Sequence, residues 1–323
     1  MHDGSPAAVE AIAPSALDLP PPLIDDLPMW PARPLPHVPV PGESAAALWR
    51  FEPGLMLVLA AAALAYAFAL AAARRRGRPS HGPWRAVAFF GGLAAVTVAL
   101  AGPLDAYNDE SFLVHMLQHL VLMQLAAPLL VLGRPVHLIV QALPPRRLVG
   151  VLRATVGHRW LRRTLDVVCH PVTVAVLWNV SLGLWHVPRF YEAALADPLI
   201  HDLEHALFFA PSLLFWWIVI DPLPAHHRAS PHAAFGMAFA NCMGGGLVAA
   251  ALLFSPRVLY PTYLAAEAAG RPWGLDPLAD QRLGGVVMWL TGALFFGTMF
   301  RAIWPSRRTA PMRVATESPI GSN

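Results

Sequence analysis

Beyond residue 50 the chain alternates between long apolar runs and short polar connections. Seven runs stand out, at roughly 54–73, 84–101, 112–132, 170–187, 201–220, 233–254 and 283–301. Each is close to the length that crosses a hydrocarbon core of about 30 Å at 1.5 Å per helical residue. The pattern predicts an all-α fold, a polytopic membrane bundle of seven transmembrane helices. The fourth run is, with the second, the shortest. Residues 1–50 lack apolar periodicity and are rich in proline ("PPPLIDDLPMWPARPLPHVPVPGE"), which predicts an extended or disordered arm. The domain reading is therefore an arm over 1–50, a seven-helix domain over 51–304 and a tail over 305–323.

Composition agrees with the pattern. Of 323 residues 56% are hydrophobic and only 13% charged, too apolar for an ordinary soluble domain. The basic residues are all arginine, and they orient the bundle. "RRRGR" follows run one; Arg134, Arg146, Arg147, Arg153, Arg159, Arg162 and Arg163 lie between runs three and four; Arg228 follows run five; Arg307, Arg308 and Arg313 follow run seven. The other side carries Asp25, Asp26, Asp105, Asp109, Glu110, Glu192 and Asp197. Positive residues stay inside, so the N-terminus is expected outside and the C-terminus in the cytoplasm. "RLVGVLRATVGHRWLRR" reads as a basic amphipathic helix on the cytoplasmic surface. Arginines spent on topology leave no case for a nucleic-acid partner; the expected surroundings are membrane lipid. Cys169 and Cys242 lie in or near runs, which argues against a disulfide framework.

The polar exceptions within the apolar runs carry the chemistry. Run three contains "FLVHMLQHLVLM", with His115 and His119 four residues apart and so on one helix face. Run five opens "LIHDLEHALFF", placing His201 and His205 in the same arrangement at the same depth. Run four ends "GLWHVP", bringing His186 to the same side. A single intramembrane histidine is often a strut between helices. Two His-x3-His pairs at matched depth with a third helix end point instead to ligation, because ionisable groups in lipid are costly and default to function. Neutral imidazoles suit copper, zinc or haem iron.

Other candidates have simpler readings beside the functional one. Met116, Met123, Met243 and Cys242 offer soft donors for Cu(I), although methionine in an apolar helix is more often packing. Asp202 and Glu204 flank the run-five histidines and either orient an imidazole or cap the helix start. Asp280, in "DPLADQRLGGVVMW", stands at the outer mouth of run seven as a carboxylate ligand candidate or an N-cap. His226, His227 and His232 read as solvated loop residues. No Walker loop, Gly-x-Ser-x-Gly, His-Glu-x-x-His or Cys-x-x-Cys is present, so nothing supports hydrolysis or nucleotide chemistry, and a non-enzymatic role is expected.

In order along the chain, "HMLQHLVLMQLAAPLLVLGRP", "LWHVPRFYEAAL", "HDLEHALFFAPSLLFWW", "SPRVLYPTY" and "DPLADQRLGGVVMW" resemble the seven-span CtaG-type cytochrome c oxidase assembly factors. The resemblance covers about residues 54–301 and leaves the arm unassigned. It implies a multi-pass protein of the bacterial inner membrane that assists assembly of a haem–copper oxidase, with an oxidase subunit as partner and copper insertion as the stage. The family's histidines match His115, His119, His186, His201 and His205. The candidate metal set is these five with Asp280. Copper is the expected ligand; haem b held by bis-histidine ligation and copper transport stay open as alternatives.

Overall fold

A computed structural model of the chain describes residues 45–77, 82–144, 146–147, 149–150, 157–220, 229–268 and 275–303. Most of the Pro-rich arm, part of the expected basic amphipathic helix, His226, His227 and the tail over 305–323 lie outside the described residues. Within them the fold is all-helical, with no strand.

Proline sets where the helices begin. α1 (Pro53–Arg75), α2 (Pro83–Ala101) and the short α3 (Pro103–Ala106) each start on one. So do α6 (Pro135–Ala142), α8 (Pro171–Trp185), α9 (Pro188–Ala196), α10 (Pro198–Ile220), α11 (Pro231–Phe254) and α13 (Pro277–Ile303). A first-turn residue has no intrahelical N–H partner, and proline brings the helical φ ready-made. α4 (Phe112–Leu120) is capped instead by Ser111, whose hydroxyl accepts from the Val114 N–H at 3.3 Å. α7 (Arg159–Val168) and α12 (Thr262–Ala268) complete the set.

Run three is not a plain α-helix. After α4 the chain makes a π turn over Val121–Ala126 and resumes as α5 (Ala127–Leu132). Pro128 immediately follows the wide turn. It cannot donate to the Gln124 carbonyl and would crowd it in a regular helix, and the wider turn removes the conflict. A second break falls at Arg134, in the left-handed region at φ 50°, before α6 turns to pack on α1.

Five helical stretches are long and apolar enough to cross a membrane: Pro53–Arg75, Pro83–Ala106, Phe112–Ala142, Pro198–Ile220 and Pro231–Phe254. α7 and α8 make a sixth if taken as one span bent by 59°. The sequence predicts seven. The fourth run accounts for part of the difference: α8 holds only 15 residues, or ~22 Å of helix, short of an ordinary bilayer core. α13, of 27 residues, is not among the five.

Packing ties one end of the bundle together. α13 lies along α11 and also against α4. Two adjacent glycines let it do both. A Cβ on Gly284 would stand 2.5 Å from the Phe112 ring, and one on Gly285 would stand 2.9 Å from the Ala249 carbonyl. Small residues at such crossings let helix backbones meet closely. At the opposite end Phe215, Trp216 and Ile218 of α10 pack with Val174, Met237, Ala127 and Val131.

Candidate metal centre

The site lies where α4 and α10 begin and α8 ends. Asp280 of α13 fixes the first of these. Its carboxylate accepts from Ser111 Oγ at 2.8 Å, Phe112 N at 2.7 Å and Leu113 N at 3.3 Å. These donors would otherwise be orphans of the helix start, and a buried carboxylate there is also favoured by the helix dipole. Asp280 therefore holds the α4 N-terminus, with both oxygens accepting hydrogen bonds there. Gln118, fully buried, pins the next turn by donating to Ala99 O at 2.9 Å and Asp105 Oδ1 at 3.2 Å, while accepting from Asn108 at 3.2 Å.

α10 is joined to α8 through its internal Pro211. Proline supplies no N–H to the Leu207 carbonyl, and Ser181 Oγ donates to that carbonyl at 2.9 Å. The join brings the end of α8, with His186, beside the start of α10.

The imidazoles meet in this frame. Ring centroids are 4.5 Å apart within His115–His119 and 4.2 Å within His201–His205. Across the two helices His115–His201 is 5.3 Å and His119–His205 is 5.2 Å. Glu204 enters between them. Its carboxylate lies 3.7 Å from His115 Nε2 and 3.4 Å from His119 Nε2, and it is completely buried. His115, His119 and Glu204 can each present one ligand atom within 4.8 Å of the others. His186 adjoins through Phe208, at 6.3 Å between ring centroids.

The hydrogen bonds decide what these nitrogens can do. His186 Nδ1 sits 2.8 Å from the Leu182 carbonyl, which only accepts, so Nδ1 carries the proton and Nε2 keeps its lone pair. Tyr263 donates its single proton to Asn108 O at 3.1 Å and stands 3.4 Å from His115 Nδ1. The tautomer in which His115 Nδ1 donates to the phenol leaves the Nε2 lone pair facing Glu204. No hydrogen-bond partner reaches His115 Nε2, either nitrogen of His119, the Nε2 atoms of His186, His201 and His205, or either oxygen of Glu204. Buried polar atoms are almost always paired. Here eight unpaired ones gather in one place, and since one nitrogen of a neutral His119 carries its proton, at most seven of them can offer an electron pair.

Aromatic rings close the end of the bundle over the cluster. Tyr191 stacks on Tyr260 at 4.0 Å and lies 5.0 Å from the His115 ring. Its hydroxyl meets that of Tyr263 at 2.7 Å. Tyr260 donates to the His186 carbonyl at 3.0 Å. Burial raises the pKa of all three phenols, so they remain protonated as orienting groups and do not become anionic ligands. Glu192, pushed up by the same burial, accepts from Thr262 and links α9 to α12.

The sequence reading thus placed His115, His119, His186, His201 and His205 at one end, and the structure brings them together. It did not separate Glu204 from Asp202. The helical period does: 204 follows 201 by three and adjoins 205, on the buried face, whereas Asp202 is exposed.

A model of the protein family described as "Cytochrome c oxidase caa3 assembly factor (Caa3_CtaG)" matches residues 64–307. An uncharacterized protein of Mycobacterium bovis is 28% identical over 221 residues, covering 67% of this chain and 32% of its own length. One from Mycobacterium tuberculosis matches equally, and one from Mycobacterium leprae is 25% identical over 210 residues, 64% of this chain and 31% of its own. The chain thus spans about a third of the length of the curated relatives it matches. No solved structure matches it.

Proposed function

Since the chain belongs to the cytochrome c oxidase caa3 assembly factor family, we propose that it assists assembly of a haem–copper oxidase by holding copper and passing it to an oxidase subunit, without catalysing a reaction. Copper is cargo in this reading. The observation that carries it is the buried group of unpaired imidazole nitrogens facing the Glu204 carboxylate. The donors are His115, His119, His186, His201 and His205 with Glu204. Asp280 serves as a positioning residue that holds α4. Imidazole and carboxylate also suit zinc, and metal availability and geometry decide between the two.

Haem b finds less support. Two axial imidazoles need a flat macrocycle between them, and here His119 packs on Phe208 at 4.6 Å and His115 on Tyr191 at 5.0 Å. A Soret band in the purified protein would restore that reading.

We also propose the bacterial inner membrane as location, with seven spans, α8 and α13 included, the N-terminus outside and the C-terminus cytoplasmic. The arginine distribution supports it, and so does the common end shared by the starts of α4, α10 and α13. The metal centre then lies at the outer side, beneath the tyrosine rings, where an oxidase subunit receives copper.

Metal analysis of purified wild type beside a variant with His115, His119, His201 and His205 all replaced by alanine tests the site. Copper bound to the first and absent from the second is expected. A wild type that takes up no copper when supplied with it would overturn the proposal.

A further inference from the structure

Beside the imidazoles, on the side away from the tyrosines, a cleft runs into the middle of the bundle between α4, α8, α11 and α13. His119 and His186 line its start. Met116, Met123, Cys242 and Met288 line the rest of it, so four sulfur-bearing side chains from three different segments face one hollow. Both histidines have an unpaired Nε2, and His119 is only 4% exposed.

The local structure explains the convergence. Met116, His119 and Met123 follow one another at spacings of three and four, which keeps them on one face. Met123 lies in the π turn, a device found disproportionately at functional sites. Its carbonyl is held at 3.2 Å by Trp216 Nε1, which fixes that turn. The approach of α13 to α4 at Gly284 brings Met288, one helical turn further, to the same hollow. Met243, which the sequence pairs with Cys242, is 52% exposed and takes no part.

We propose that this cleft is a second, soft-metal station for monovalent copper, joined to the histidine centre through His119 and His186. The proposal rests on the copper reading above and names the ion's oxidation state. Thioethers and a thiol prefer Cu(I) to harder divalent ions. A monovalent ion also suits the depth. The cost of removing an ion from water grows with the square of its charge, and this donor set is neutral apart from nearby Glu204. A bundle that meets Cu(I) on sulfur and presents it on imidazole has two adjoining stations of different softness, which favours transfer over storage.

The test uses the full-length protein in detergent, loaded anaerobically with Cu(I) and examined by X-ray absorption. Sulfur scatterers at the copper are expected in wild type. A Met123→Leu/Cys242→Ala/Met288→Leu variant, which keeps only Met116, should lose most of that sulfur scattering. Its Cu(I) affinity, measured against a chromogenic Cu(I) chelator, should fall about tenfold or more, a usual loss for an altered metal site. Its Zn(II) binding should stay at the wild-type level. Met→Leu conserves volume and is well tolerated in packed interiors, and the wild-type spectrum decides the matter even if the triple variant does not fold. Wild-type Cu(I) with nitrogen and oxygen neighbours alone overturns the sulfur station and leaves the histidine centre standing. Failure of wild type to bind either Cu(I) or Zn(II) overturns both.

Discussion

A carboxylate and the bare nitrogen of an imidazole repel each other in a dry pocket unless a proton or a metal ion lies between them. Glu204 faces the Nε2 atoms of His115 and His119, at 3.7 and 3.4 Å. Glu204→Gln keeps the volume and removes the charge. It should lower copper affinity by about 10–100-fold, the range found when a group supporting a metal is lost, as read by competition with a chelator. Asp202→Asn, two residues earlier and exposed, should leave affinity unchanged; equal losses in the two variants would mean that Glu204 acts only through general charge. Asp280 gives the opposite signature. Asp280→Ala strands the donors at the α4 start, at ~1–3 kcal/mol for each buried group left unpaired. The unfolding temperature in detergent should drop, while the fraction that stays folded still takes up copper. These two acids also show how far the sequence could be read. His-x3-His pairs stand out because imidazole is conspicuous in an apolar run. A buried acid next to a helix start looks like a cap. Only the tertiary arrangement shows that Asp280 caps a different helix from its own, and that Glu204 caps none.

At the scale of elements, the apolar runs gave most of the spans, while the prolines that stand at most helix starts were a signal the reading did not use. Two features were not legible. The 59° bend between α7 and α8 falls inside continuous helix-compatible sequence, and its only local sign is Pro171. The π turn of Val121–Ala126 has Pro128 as its trace, but one proline in an apolar run more often gives a kink. Hydrophobic periodicity encodes neither feature, because both leave the apolar pattern of the run unbroken. The glycines of α13 are similar: "LGG" reads as tolerated flexibility, yet it sets a helix crossing. Gly285→Ala would place a Cβ 2.9 Å from the Ala249 carbonyl and 3.2 Å from Leu252. Backbone cannot yield as a side-chain tip can, so α13 must shift, at about 1–3 kcal/mol for overpacking. Because Asp280 rides on the same helix, the shift should also loosen α4 and reduce copper stoichiometry. Gly297→Ala, on the same helix with nothing within 4 Å of the added Cβ, should leave unfolding temperature and stoichiometry unchanged in the same assays.

At the scale of the whole molecule, the bundle has one end rich in buried polar groups and another closed by Phe215, Trp216 and their neighbours. That asymmetry gives the protein a direction. A metal held at the polar end can leave toward that side without crossing the apolar end, which suits delivery to a partner on the same face of the membrane better than passage across it. In the proposed topology the polar end faces outside, so a C-terminal reporter that fluoresces only in the cytoplasm should light up. An expressed but dark fusion would reverse the assignment and place delivery on the wrong side for an outward-facing subunit. The consequence for the oxidase follows. His119 touches both parts of the proposed path, standing 3.4 Å from Glu204 and lining the sulfur cleft. His119→Ala removes that junction and leaves an apolar residue in an apolar helix, a change that costs nothing in lipid. The variant protein should accumulate normally in the membrane, which immunoblotting can establish. The oxidase from that strain should then contain haem but fall short in copper, and supplying copper in the medium should restore part of its content. Full copper occupancy of the oxidase beside a normally abundant His119→Ala protein would show that the imidazoles act as struts between helices, and that assembly depends on some other surface of the bundle.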